Sequence, residues 1–386
     1  MGTDSEETTM NLLELETPCL ILDRVKLEKN ISYLQNRMKH LGVNLRPHGK
    51  TAKNIDAVRL ALSGHSGGIT VSTLKEAAYF FNHGITDIVY AVGIAPVKLD
   101  RVATLINAGA DITLLLDSIE QVNFVASTAQ AYGLSIPVLI EIDCDGHRSG
   151  VTPGDRLLVD IGRLLDREPG VTLKGVLTHA GGAYQCKTIE DIRVIADSER
   201  DAAVESAEIL RQNGLPCPIV SVGSTPTAHF TEDLTGVTEV RAGVFMFYDL
   251  MMTDLGVCKV EDIAVSVLTS VIGHQKQKGW VIVDAGWMAL SCDRGSAAQE
   301  TDQGYGVVCD IHGEPLDNLI VSDTNQEHGI IADRRGKEID WALFQIGTAV
   351  RILPNHACAA SAMHDRYYMT NGATTVTDVW HRINGW

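Results

Sequence analysis

Lys50 stands in the run Arg46-Pro47-His48-Gly49-Lys50-Thr51-Ala52-Lys53. Crowded positive charge and desolvation lower a lysine pKa and make its amine a usable nucleophile for Schiff-base chemistry. A solvated basic loop is the commoner fate of any one lysine. The turn Gly223-Ser224-Thr225-Pro226-Thr227 has the composition of a phosphate cradle, because small residues let backbone N–H groups approach an anion and hydroxyls add donors. The same residues also make ordinary turns. Arg148 and Arg241 could each bind a phenolate oxygen, a ring nitrogen or a carboxylate, or serve as structural ion pairs. His179 could stack on a flat ligand or sit as a satisfied core histidine. In His356-Ala357-Cys358, read as extended chain, residues two apart project to the same side. The pair could then grip one divalent ion and leave positions open for substrate and water. The polar run Asn325-Gln326-Glu327-His328-Gly329 is a further candidate.

These residues need a scaffold that gathers loops, and the hydrophobic pattern supplies one. Short apolar runs at Val43–Arg46, Gly68–Val71, Asp87–Ala91, Asp111–Leu116, Pro137–Ile142, Leu173–His179, Pro218–Val222 and Thr238–Arg241 read as strands. Helix-period segments separate them. The first has Leu27, Ile31, Leu34, Met38 and Leu41 at spacings of three and four, behind Asp23 as N-cap. Eight β–α alternations predict an α/β chain with a (β/α)8 TIM barrel over 23–252, its chemistry at the ends of the strands. A doubly wound open sheet is the alternative, weakened by the lack of a GxGxxG after the first strand. Lys50, Arg148 and Gly223 fall after predicted strands, and His179 and Arg241 are the last residues of theirs. Residues 253–386 turn to β-branched and aromatic runs punctuated by Gly, Asp and Asn, which predicts a mainly β second domain. The N-terminal segment 1–22, with its apolar run Cys19–Leu22, is expected to join that domain.

The 32 basic and 49 acidic residues give a formal net charge of −17. Such acidity argues against nucleic acid or an anionic membrane as partner. No stretch approaches the ~20 apolar residues of a membrane span. The eight cysteines are scattered and no signal-peptide pattern precedes them, so a cytoplasmic protein with reduced thiols is expected. The cations near the barrel strand ends point to a small anionic ligand.

Taken together, the runs 46–53, Thr178-His179-Ala180-Gly181, Gly223-Ser224-Thr225-Pro226, Asn325–Gly329 and Pro354-Asn355-His356-Ala357-Cys358 resemble the D-serine dehydratase and D-threonine aldolase family. These are pyridoxal-phosphate enzymes of the alanine racemase-like fold (fold type III), and the resemblance runs from about Thr17 to Trp386. It implies that Lys50 forms the Schiff base with pyridoxal 5'-phosphate. Gly223, Ser224 and Thr225, with Tyr184, would hold the phosphate. Arg148 would lie near the phenolic oxygen, His179 against the ring and Arg241 near the ring nitrogen. His356 and Cys358 would bind a divalent metal; thiolate with imidazole suits zinc, while manganese and cobalt stay open. Homodimers are implied, with a small D-3-hydroxy amino acid as substrate. The best candidate is D-threo-3-hydroxyaspartate, dehydrated to oxaloacetate and ammonia. Arg294 or His328 would meet its second carboxylate. D-serine dehydration, retro-aldol cleavage and a non-enzymatic pyridoxal-phosphate carrier are the alternatives. The aldolase branch tends to carry His-x-Asp where this chain has His356-Ala357-Cys358, which favours dehydration.

Overall fold

The computed structural model describes residues 10–64 and 67–386. Asp23 caps the first helix, Arg24–His40, its Oδ1 accepting the N–H groups of Val25 and Lys26 at 2.9 and 3.2 Å. Leu27, Ile31, Leu34 and Met38 are all buried, as their spacing requires. The strands in chain order begin with β1 (Cys19–Asp23). There follow β2 (Asn44–Pro47), β3 (Ile69–Val71), β4 (Asp87–Gly93), β5 (Asp111–Leu116), β6 (Ile136–Ile142), β7 (Val171–Thr178), β8 (Ile219–Val222) and β9 (Glu239–Ala242).

Strands β2 to β9 form one parallel eight-stranded sheet, ordered β2-β9-β8-β7-β6-β5-β4-β3. Its two ends meet through a single parallel bridge, His48 to Thr70, with the Gly49 N–H donating to the Thr70 carbonyl at 2.8 Å. The result is a nearly closed (β/α)8 barrel rather than an open doubly wound sheet. All eight expected strands are present, within a few residues of their expected ends.

The second sheet contains β1 and eight later strands: β10 (Val265–Gln275), β11 (Trp280–Val283), β12 (Val307–Cys309), β13 (Pro315–Thr324), β14 (Gly329–Asp333), β15 (Ala349–Leu353), β16 (Arg366–Thr370) and β17 (Asp378–His381). Their order is β11-β14-β13-β12-β15-β10-β1-β16-β17, and a further β10–β11 pairing closes six of them into an antiparallel barrel. β1 lies antiparallel to β10 and parallel to β16, so the early apolar run does join this sheet. Residues 1–9 of the expected N-terminal segment lie outside the described residues. β14 was not expected as a strand; it follows directly on the polar run 325–329.

The described residues divide into two compact units. One is Ile31–Phe245 with Gly385–Trp386 and contains the parallel barrel; the other is the residues up to Asn30 with Met246–Asn384 and contains the antiparallel sheet.

Candidate active site

In the barrel unit, Lys50 sits in the loop that follows β2, with its side chain exposed. The cations around it are not free. Arg46 is buried in the barrel, with Nε 2.8 Å from Glu239 and Nη1 2.8 Å from Asp87. Lys53 Nζ lies 3.1 Å from the buried Glu76 carboxylate. His48 is driven well below its ordinary pKa by burial first, and then by Lys50 and Arg241. Its Nδ1 lies 3.3 Å from the Lys50 N–H and accepts from it, so the neutral ring keeps its proton on Nε2, 3.4 Å from Ser72 Oγ. The expected cluster of positive charge is therefore corrected: two of its members are ion-paired and one is neutral. The partners Glu239, Asp87 and Glu76 are distant in sequence, so only the fold reveals the pairing.

The loops after β7 and β8 meet through one peptide. His179 Nδ1 donates to the Gly223 carbonyl at 3.0 Å, which leaves Nε2 as the unprotonated nitrogen. Burial, with Lys50, Arg148 and Arg241 nearby, pushes this imidazole down to about 3 despite that hydrogen bond. Tyr184 lies in the same loop, its ring centroid 6.2 Å from that of His179. Ser224 caps the short helix Thr225–Phe230, and its N–H donates to Thr227 Oγ1 at 3.0 Å. The Gly223 N–H is also engaged internally, with Glu199 at 3.0 Å. Thr225 Oγ1, by contrast, is buried with no hydrogen-bond partner. A buried hydroxyl left this way is costly unless a ligand meets it.

Arg241 is buried among the strands: Nε donates to Ser221 Oγ at 3.0 Å and Nη2 to the Thr178 carbonyl. Burial pushes it down to about 10, while Glu199, Glu239 and Glu141 pull the other way. Arg148 is half exposed, 4.0 Å from Glu141 Oε1.

Two predictions arise from this unit. Gly223 adopts φ +124°, and a Cβ there would lie 2.5 Å from the Arg241 carbonyl oxygen. Gly223→Ala is expected to cost about 3 kcal/mol, a fall in Tm of roughly 6–12 °C. A thermal melt superimposable on that of the native chain would contradict the close packing of this turn. The second concerns pH. His229 stacks on Tyr33 and, like His179, is held down by burial, to about 4. Folded pKa values below the unfolded value of about 6.5 mean that the unfolded chain takes up more protons as pH falls. The stability these histidines contribute is complete above pH ~6.5 and is lost on the way down towards 4, at about 1.4 kcal/mol per pH unit for each fully engaged imidazole. Melts between pH 7.5 and 5, above the ordinary carboxylate range, should show it, with His229→Gln flattening the curve. A Tm independent of pH across that window would refute the buried neutral state.

In the other unit, β15 ends at Leu353 and the chain turns into the short helix Ala357–Ala362. His356 is its extended N-cap residue, at φ −134°, and Cys358 lies in the first helical turn. The pair is thus not two residues along a strand, as its spacing first suggests, but spans a strand-to-helix junction. The two side chains nonetheless hydrogen-bond each other. His356 Nδ1 is 2.6 Å from Asp293 Oδ2. Burial would lower this imidazole, but Asp293 and Cys358 hold it up at about 11. The ring therefore has two anion-forming neighbours, the surroundings a cation needs.

The junction is braced. Asp249, fully buried, accepts from Met252 N–H at 3.0 Å and from Ala357 N–H at 2.8 Å, capping two helices at once. Asn355 accepts from Ser296 and donates to the Gly304 carbonyl, at 2.8 and 2.6 Å. Among the described residues no group of three or more His, Cys, Asp or Glu could hold a metal ion. The run 325–329 has a backbone role: the carbonyls of Asn325 and Gln326 accept the N–H groups of Trp287 and Met288. A Cβ on Gly286 would come within 2.2 Å of the Asn325 oxygen, which explains the glycine in Asp284-Ala285-Gly286-Trp287. Arg294, expected as a cation for a second substrate carboxylate, is paired with Asp302 and lies 5.3 Å over the Tyr305 ring. His328 is exposed.

Residues 22–250 match the family described as alanine racemase, N-terminal domain. The chain belongs to that family. Within it, residues 264–370 also match a putative serine dehydratase domain. D-threo-3-hydroxyaspartate dehydratase of Delftia sp. (strain HT23) is 49% identical over 378 residues, covering 97% of this chain and 99% of that enzyme. A histidine-to-alanine mutant of D-threo-3-hydroxyaspartate dehydratase superimposes with a TM-score of 0.96 at 48% identity, covering 98% of this chain and 97% of the other. A cysteine-to-alanine mutant, solved in the metal-free form, gives 0.95 at 48% identity, covering 98% and 100%. The substituted histidine and cysteine in those two structures are two positions apart.

In this alanine racemase-like chain three supporting carboxylates escaped the sequence reading. Glu199 lies within a long helix rich in exposed acids, where one more acid reads as surface. Asp293 is more than sixty residues from the histidine it touches. Asp249 carried a usable signal, since an Asp directly before the helix Leu250–Asp254 is a strong N-cap residue. Among the described residues no helix is long and apolar enough to cross a membrane.

Proposed function

We propose that this chain is a pyridoxal-phosphate- and divalent-metal-dependent dehydratase, a carbon–oxygen lyase acting on a D-3-hydroxy amino acid. D-threo-3-hydroxyaspartate is the favoured substrate, with oxaloacetate and ammonia as products. The observation that carries the reading is His356 beside Cys358 with Asp293 on Nδ1, in a chain 49% identical to D-threo-3-hydroxyaspartate dehydratase over 97% of its length. A histidine and a cysteine at the same spacing of two were the residues replaced in the solved structures.

The barrel's donor set suits pyridoxal phosphate. The partnerless Thr225 hydroxyl, with Tyr184, would meet the phosphate on the Gly223–Ser224 turn, whose N–H groups are tied to Glu199 and Thr227, and Lys50 would take the aldehyde carbon. His179 would lie on the ring, Arg148 near the phenolic oxygen and Arg241 near the ring nitrogen. When bound, the cofactor supplies a conjugated sink for the electron pair left at Cα, and the metal supplies Lewis acidity to the departing β-hydroxyl. The chain's own work is proton transfer and orientation. Lys50 amine takes the α-proton. Neutral His179, its Nδ1 tied to Gly223, offers a flat uncharged face to the ring. His356 and Cys358 would hold the ion, and Asp293 fixes the imidazole so that Nε2 is the nitrogen it presents. Imidazole with thiolate favours zinc among divalent ions, and metal analysis of the purified protein identifies it. We also propose a cytoplasmic homodimer; eight cysteines with no disulfide among them agree with a reducing compartment.

The test is a substrate panel. The metal-loaded protein is assayed with D-threo-3-hydroxyaspartate, D-serine and D-threonine for 2-oxo acid, ammonia and glycine. The highest kcat/KM is expected for D-threo-3-hydroxyaspartate. Preference for D-serine would reassign the substrate, and turnover of none would leave a pyridoxal-phosphate carrier.

A further inference from the structure

Glu199 is the one carboxylate that the helix Ile189–Gln212 turns inward, only 2% exposed among alanines and aliphatic side chains. Burying a carboxylate is costly unless its oxygens are satisfied. Glu199 Oε1 accepts the N–H of Ala180 at 2.8 Å and that of Gly223 at 3.0 Å. Its Oε2 accepts the Thr227 hydroxyl at 2.8 Å. Ala180 directly follows His179, and Gly223 opens the Gly-Ser-Thr turn. Thr227 Oγ1 in turn accepts the Ser224 N–H at 3.0 Å, and the Gly223 carbonyl accepts His179 Nδ1 at 3.0 Å. One side chain behind the barrel thus grips both loops and, through the Gly223 peptide, the ring edge of His179. Behind the turn Glu199, Val222, Gly223, Thr227 and Leu234 leave a space of only about 10 Å³.

We infer that Glu199 is a positioning residue that keeps the Gly223–Thr225 turn and His179 in register and thereby sets affinity for a phosphate-bearing ligand. The inference rests on the pyridoxal-phosphate reading of the barrel. Its sequence origin is an acid at a buried helix position, and its effect is transmitted through backbone N–H groups rather than by contact with the ligand.

The full chain, freed of cofactor, is titrated with pyridoxal phosphate and with pyridoxal, for the native sequence, Glu199→Ala, Glu199→Gln and Thr227→Val. Losing a hydrogen bond costs about fivefold, and two of the three that Glu199 makes, to Gly223 and Thr227, hold the turn, so Glu199→Ala is expected to weaken pyridoxal phosphate by about 25-fold and pyridoxal by less than about threefold. Glu199→Gln keeps a carbonyl oxygen for both N–H groups and is expected to stay within about fivefold of the native affinity. Should the alanine variant fail to fold, Thr227→Val supplies the same reading, with a selective loss for pyridoxal phosphate of about fivefold. Native affinity in these variants, or equal loss for both ligands as a purely structural role gives, would overturn the inference. A native protein that does not prefer pyridoxal phosphate to pyridoxal would instead defeat the cofactor reading, and the role of Glu199 with it.

Discussion

Lys50→Ala is expected to lose the Schiff-base absorption band of pyridoxal phosphate and at least about a thousandfold of turnover. Two functions leave with one amine: the covalent hold on the cofactor and the base for the α-proton. The fold should survive. The Lys50 side chain is exposed, and the bonds that hold the loop are backbone ones that alanine retains, among them the Lys50 N–H to His48 Nδ1 and the Gly49 N–H to the Thr70 carbonyl. Circular dichroism and the thermal melt are therefore expected to match the native chain. Lys50→Arg should fail equally, since guanidinium keeps the charge but does not form the Schiff base. Persistence of the band in either variant would refute the assignment of Lys50.

Cys358→Ala separates the metal from the cofactor. Removing the thiol leaves His356 as the remaining ligand of the pair, so the metal content measured after dialysis is expected to fall close to zero. Lewis-acid assistance to a poor leaving group is worth several kcal/mol, and 3 kcal/mol at the transition state is about a hundredfold in rate. Turnover should thus drop by a hundredfold or more, while the pyridoxal-phosphate spectrum stays native. Chelation of the native protein should reproduce the defect, and added zinc, manganese or cobalt should reverse it in the chelated protein but not in the variant. Full turnover in a metal-free Cys358→Ala protein would remove the metal from the reaction.

The periodicity that made the barrel legible is local. Each of β2 to β9 is a short apolar run bounded by turn residues, and each is buried enough for its composition to announce it. β14 escaped because Gly329-Ile330-Ile331-Ala332-Asp333 is only five residues long and abuts a polar run that drew the eye as a possible site. The candidate residues were legible by type and by their place after strands. Their charge states were not. Arg46, Lys53 and His48 looked like a cationic ring around Lys50, yet Glu239, Asp87, Glu76 and burial remove that charge from it, through contacts that only the folded chain creates. The same holds for His356-x-Cys358. The spacing reads as two residues along a strand, since nothing in three residues says that the strand ends and a helix starts between them. Supporting carboxylates such as Glu199 and Asp293 are the least legible, because they act across long sequence separations on backbone or ring N–H groups.

The dehydratase reading turns on which bond of the substrate breaks, and a product balance measures that directly. Metal-loaded protein is given a known amount of D-threo-3-hydroxyaspartate, and ammonia, oxaloacetate and glycine are quantified at completion. Ammonia and oxaloacetate in equal amounts, without glycine, is the predicted result. Glycine with glyoxylate, and no ammonia, would show cleavage of the Cα–Cβ bond and contradict it.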